Sequence, residues 1–170
     1  MSVGAARVRD ERQVRAATQY VTLGLDREIF AVEVDRVREI LDMQPVSRIP
    51  YAPPFMMGVI DVRGTGVPVV DLRVKLGLPP VPPTDQTRII VLEVGVGVGS
   101  QARLMGLMAD RVFEVTPLSD HTLEPPPELG TRWRSDYIRA IGRRGTAFVI
   151  IFDLTKLFTS DEVALVGGEG

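Results

Sequence analysis

Short apolar runs recur along the chain, separated by glycine, proline and charged pairs. Residues 19–25 (QYVTLGL) and 29–34 (IFAVEV) are rich in β-branched and aromatic residues. The charged turn Asp26-Arg27-Glu28 between them predicts a hairpin. Residues 35–41 (DRVREIL) fit two patterns: Val37 with Ile40 or Leu41 has helical spacing, whereas Val37 with Glu39 suits a strand. Periodicity does not choose between them. Pro45, Pro50, Pro53 and Pro54 then exclude a long helix or a central strand.

A second hairpin is predicted from residues 58–62 (GVIDV) and 67–72 (VPVVDL), turning at Arg63-Gly64-Thr65-Gly66. Gly64 and Gly66 are read as turn residues, and Pro68 as the mark of an edge strand. After the stiff run 79–83 (PPVPP), residues 87–94 and 103–109 read as strands either side of a glycine-rich tip. Residues 137–141 and 147–154 form a fourth hairpin. Short helical turns are expected over 153–166, with Thr159 or Ser160 as an N-cap.

The two halves echo each other. Asp35-Arg36-Val37 recurs as Asp110-Arg111-Val112, Arg63-Gly64-Thr65 as Arg144-Gly145-Thr146, and Asp71-Leu72 as Asp153-Leu154. Each half thus supplies the strands for a small barrel, which removes exposed sheet edges. The expectation is a mostly β fold of two small five-stranded β barrels (SH3/OB-like) packed together, with a short C-terminal helix. A flexible tail spans 1–18 and a single two-lobed domain 19–160. The lobes fall near 19–80 and 86–157, with strand exchange between them left open, and a C-terminal helix and tail span 158–170. The proline run 79–83 is the expected lobe boundary.

Composition narrows the function. The chain of 170 residues has 45% hydrophobic and 25% charged residues, a globular balance. A net charge of −2 gives no general attraction to nucleic acid or anionic membrane, and the absence of cysteine removes disulfides, thiolate metal sites and thiol nucleophiles. No apolar run approaches a membrane span, and the charged start does not read as a secretory signal. A cytoplasmic protein without direct membrane insertion is expected.

Candidate chemistry is sparse. The single histidine, His121, lies in a loop-like stretch (PLSDHTLEPPP), and one histidine without cysteine makes a poor metal site. Gly95-Val96-Gly97-Val98-Gly99 is not a phosphate loop, because a strand rather than a helix follows it. Aromatic content is 6%, and Phe30, Phe148 and Phe152 occupy expected core positions, so a stacking platform for nucleic acid is disfavoured. No catalytic residue, metal or cofactor is expected, and the chain is read as a non-enzymatic interaction module. A nucleic-acid-binding double barrel is the alternative from another class.

Residues 58–64 (GVIDVRG), continuing into 67–73 (VPVVDLR), resemble CheW, the adaptor family of bacterial chemotaxis arrays, whose pattern is close to G-V-x-N-L-R-G-x-x-x-P-V-x-D-L-R. Arg48-Ile49-Pro50, Ala109-Asp110-Arg111-Val112 and Lys156-Leu157-Phe158 agree with it. The resemblance implies two five-stranded barrels and a scaffold that couples chemoreceptors (methyl-accepting chemotaxis proteins) to the histidine kinase CheA. The receptors would be met at their cytoplasmic tip, and the kinase through its CheW-like regulatory domain. It also implies a cytoplasmic location at receptor arrays by the inner membrane, and a receptor groove at Val34, Val37, Glu39, Gly58 and Arg63. Asp61 stands where the family usually has asparagine, Met57 where lysine is frequent, and Gly66 where a bulky apolar residue is common. The same module also serves motility and developmental pathways other than flagellar rotation.

Overall fold

The computed structural model describes residues 17–95, 103–119, 122–126 and 137–158. Ten strands fall within them: β1 (Ala17–Leu25), β2 (Glu28–Glu33), β3 (Val37–Asp42), β4 (Met56–Val62), β5 (Thr65–Asp71), β6 (Arg88–Val94), β7 (Arg103–Ala109), β8 (Arg111–Ser119), β9 (Ile138–Arg144) and β10 (Ala147–Phe152). The helical elements that fall wholly within the described residues are a 3-10 turn, Val34–Arg36, and two single turns, Leu72–Lys75 and Leu154–Leu157. The ambiguous segment after β2 therefore uses both of its patterns in succession, a helical turn and then a strand. The turn Leu154–Leu157 falls at the start of the helical stretch expected over 153–166, whereas His121, the glycine-rich tip beyond Gly95, and Thr159 and Ser160 with the rest of that stretch lie outside the described residues.

The strands form two five-stranded sheets, ordered β8-β1-β2-β10-β9 and β3-β6-β7-β5-β4. The sheets do not follow the boundary expected at 79–83. One lobe is built of the consecutive strands β3 to β7, and the other combines β1 and β2 with β8, β9 and β10. The proline run instead joins Leu72–Lys75 to β6 within one sheet, and its stiffness marks a surface connector rather than a lobe limit. The chain changes lobe at the 3-10 turn Val34–Arg36 and again at Asp110.

The duplication is visible in the pairing. Val37 lies opposite Leu92 in one sheet and Val112 opposite Leu23 in the other. Val69 to Asp71 pair in parallel with β7, as Val149 to Ile151 pair in parallel with β2. In each lobe the two edge strands approach through one two-bond bridge. Ser47, just beyond β3, exchanges 2.9 and 2.8 Å bonds with Val59 on β4. Glu124, beyond β8, exchanges 2.8 and 2.9 Å bonds with Ile141 on β9. These bridges occupy backbone groups that free edges would offer to other chains.

Two local expectations are corrected. Pro68 does not mark an edge strand, because β5 lies between β4 and β7. It is accommodated because the parallel ladder to β7 begins only at Val69, so no β7 partner needs the missing N–H. Phe148 is 51% exposed rather than in the core: it is the second residue of β10 and carries the Arg143 guanidinium 4.8 Å from its ring centre.

The main core lies between the sheets and draws on both. Leu23, Leu25, Phe30 and Val32 of one lobe cluster with Val70, Ile90, Leu92 and Leu107 of the other. Phe30 and Phe152 stack with ring centres 5.0 Å apart. Each lobe keeps a smaller cluster on the far side of its sheet, around Tyr20 and Ile151 in one and Ile60 and Ile89 in the other. Polar contacts join the lobes as well. Arg73, 3% exposed at the first helical turn, reaches Asp26 and Asp110 at 2.7 Å each, and its Nε donates to the Pro79 carbonyl at 2.9 Å.

Candidate partner-binding face

Glu39 and Arg63, far apart in sequence, meet across the seam between β3 and β4, with Arg63 Nη2 3.5 Å from Glu39 Oε1. The hairpin tip makes this contact possible. Arg63 and Gly64 both have positive φ, +52° and +86°, as a two-residue turn matched to strand twist requires. The Asp61 side chain accepts a 2.9 Å hydrogen bond from Gly64 N and so fixes the turn. The Arg63 side chain is 84% exposed and that of Glu39 only 21%, so the pair presents its cation outward. Its ionic contribution to folding is small, as for other exposed pairs.

Val34 sits in the 3-10 turn and Val37 opens β3; both are half-buried and pack on the core shared by the lobes. Ile40, further along β3, is 41% exposed. Half-buried apolar residues thus lead along one strand to a charged pair at its seam.

Gly58 stands differently. It is buried with φ +148°, and a Cβ there would lie 2.0 Å from the Ser47 carbonyl oxygen and 2.9 Å from Val46 Cγ1. The bridge that joins β3 to β4 therefore needs glycine at this position. Gly66, expected in the turn, instead lies in β5 opposite Asp61, because the turn closes in two residues at Arg63-Gly64; it is exposed, and a Cβ on it would meet Val59 Cγ1 at 3.3 Å. Met57 belongs to the satellite cluster around Ile60.

The second lobe carries a related pair that motif reading did not single out. Glu114, the repeat of Glu39, pairs with Arg144. The ladder places Arg144 opposite Ala147, as Val62 lies opposite Thr65, so this arginine is one register position removed from Arg63. The repeated Asp-Arg-Val-x-Glu and Arg-Gly-Thr segments were the available signal.

Among the described residues there is no cluster of three or more His, Cys, Asp or Glu side chains able to hold a metal, and no helix long and apolar enough to cross a membrane. Among the described residues, the titratable groups with displaced pKa values lie at the lobe junction. Asp71 is raised above its ordinary 3.8, chiefly by burial, against the lowering effect of backbone hydrogen bonds from Arg73 and Val74. Arg73 is raised, first by its hydrogen bond to Asp26, so it stays charged despite its burial.

The family model for the CheW-like domain matches residues 19–162, covering both lobes. The chain belongs to the CheW-like domain family. The chemotaxis protein CheW of Klebsiella aerogenes is 32% identical over 148 residues, which cover 87% of this chain and 86% of that protein. The chemotaxis protein CheW of Rhizobium meliloti is 30% identical over 133 residues, 78% of this chain and 82% of that protein. The crystal structure of the scaffolding protein TtCheW from Thermoanaerobacter tengcongensis superposes with a TM-score of 0.74 at 28% identity, covering 86% of this chain and 95% of that one. The resemblance first carried by residues 58–73 thus extends over the whole CheW-like fold.

Proposed function

We propose that this CheW-like chain is a non-enzymatic adaptor of chemotaxis signalling, holding chemoreceptor cytoplasmic tips and the histidine kinase CheA in one assembly. The observation that carries the reading is the run Val34, Val37 and Glu39, ended by Arg63 across the seam. Half-buried valines offer grooves to the apolar ridge of a helical hairpin, and the exposed guanidinium fixes its register by charge. Gly58 contributes by shaping the seam beneath this face. The kinase's CheW-like regulatory domain would pair with the chain lobe to lobe, away from the valine face. The chain would act in the cytoplasm, at receptor arrays by the inner membrane.

Arg63→Glu tests the assignment. Because the side chain is 84% exposed, folding stability should change by only about 0.5 kcal/mol or less. Affinity for a receptor cytoplasmic fragment should fall by about 2 kcal/mol if the arginine meets an acid in a desolvated rim, while CheA affinity persists. Unchanged receptor affinity with a normal melt would remove Arg63 from the docking face. Loss of both partners together with the melt would make the arginine structural.

A further inference from the structure

The internal repeat relates the two sides of the cleft between the lobes, and the sides differ. On one side Arg73 bridges Asp26, in the β1–β2 turn, and Asp110, at the β7–β8 junction. Asp110 also accepts a 2.9 Å hydrogen bond from Asp26 N. The matched ladders identify the corresponding positions on the other side. Thr155 stands for Arg73, each being the second residue of a helical turn that begins after an aspartate cap, Asp153 or Asp71. Gly95 follows β6 as Asp26 follows β1, and Asp35 precedes β3 as Asp110 precedes β8. The second side therefore has neither the guanidinium nor one of its two carboxylates. It holds instead a cavity of about 200 Å³, lined in part by Gly95 and Thr155 together with Glu33, Arg36, Glu93 and Asp153.

We propose that the lobes form a one-sided hinge, pinned at the Arg73 edge and free to open and close at the Thr155 edge. A buried arginine gripping two carboxylates and a carbonyl from separate segments holds its geometry, because its planar fork is satisfied in few arrangements. Among the described residues the opposite edge shows no buried guanidinium gripping both lobes, and small rotations about the pin appear there as changes in cleft width. The Glu33–Arg139 and Arg38–Glu93 pairs flanking the cavity do not replace the pin, since each stays within one lobe. The crossover Val34–Arg36 lies on the open edge, with Arg36 lining the cavity. On the adaptor reading, a partner docked at Val34 and Val37 would sit over the moving side. That bearing on docking rests on the proposed function; the hinge itself does not.

The absence of native cysteine allows nitroxide labels to be placed without background, and the distances are read with no partner present, so failure of the hinge is distinct from failure of the adaptor reading. One label pair, at Arg27→Cys and Val81→Cys, spans the pinned edge. A second, at Lys156→Cys and Ile40→Cys, spans the open edge. Pulsed dipolar distance distributions should be narrow for the first pair and broad for the second; equal widths overturn the hinge. The pin is then transplanted as Thr155→Arg with Gly95→Asp, opposite the resident Asp35. A Cβ at Gly95 meets nothing within 4 Å, so the replacement is sterically open. In the folded double variant the open-edge distribution should collapse to the narrow form, with neither single substitution achieving this. A folded double variant that keeps the broad distribution refutes the proposal. This arm leaves Arg73 in place and so does not depend on a variant that removes a buried charge.

Discussion

Gly58→Ala should cost the protein far more than an ordinary glycine-to-alanine change. The new methyl carbon would start 2.0 Å from the Ser47 carbonyl oxygen, a backbone atom that cannot rotate away. Relief requires the β3 extension to separate from β4, breaking the Ser47–Val59 bridge with its 2.9 and 2.8 Å bonds. Two backbone hydrogen bonds contribute about 1 kcal/mol each net. Holding a non-glycine residue at φ +148° adds about 1–3 kcal/mol. The expected loss is therefore about 3–5 kcal/mol, measured by urea denaturation with a thermal melt as a second probe. At this chain length that corresponds to a fall in Tm of about 6–20 °C. A Gly58→Ala protein within about 1 kcal/mol of wild type would refute the seam assignment. Loss of receptor binding by such a variant is expected to follow from the opened seam rather than from a missing contact.

Gly64→Ala provides the contrast: a Cβ there meets nothing within 4 Å, so only the cost of φ +86° remains, about 1 kcal/mol by the same denaturation assay. Asp71→Asn should remove a pH dependence. Because burial raises the folded-state pKa of Asp71, its stabilising contribution is full below 3.8 and is lost as pH rises through the elevated value. The stability difference between Asp71→Asn and wild type should accordingly grow in favour of the variant across that interval, as seen in urea midpoints from pH 3 to 7; a constant difference would contradict the burial effect.

The four hairpins were legible because each is local: two apolar runs and a turn lie within about 20 residues, inside the reach of pattern reading. The internal repeat was legible too, because Asp35-Arg36-Val37 and Asp110-Arg111-Val112 preserve their order. The lobe assignment was not. Hairpin signals carry no information on which sheet receives the next strand, and the exchange happens at Val34–Arg36 and Asp110, where no proline or glycine marks it. β8 was not anticipated as a strand; its Pro117 is tolerated because β8 is an edge strand. Glu39 and Arg63 were singled out together by family resemblance, whereas their contact depends on the fold bringing opposite edges of a sheet together. Arg73 stood in the recognised Asp-Leu-Arg motif, but its partners are 47 and 37 residues away, beyond any local pattern.

Co-sedimentation addresses the bridging role itself. Receptor cytoplasmic fragments arrayed on vesicles are mixed with CheA, with or without this chain, and pelleted. The adaptor account predicts that CheA enters the pellet in a manner dependent on the chain, and that Arg63→Glu reduces both proteins in the pellet while leaving their mutual association in solution intact. CheA recovery in the pellet that is indifferent to the chain, under conditions where the chain is folded, would contradict the account.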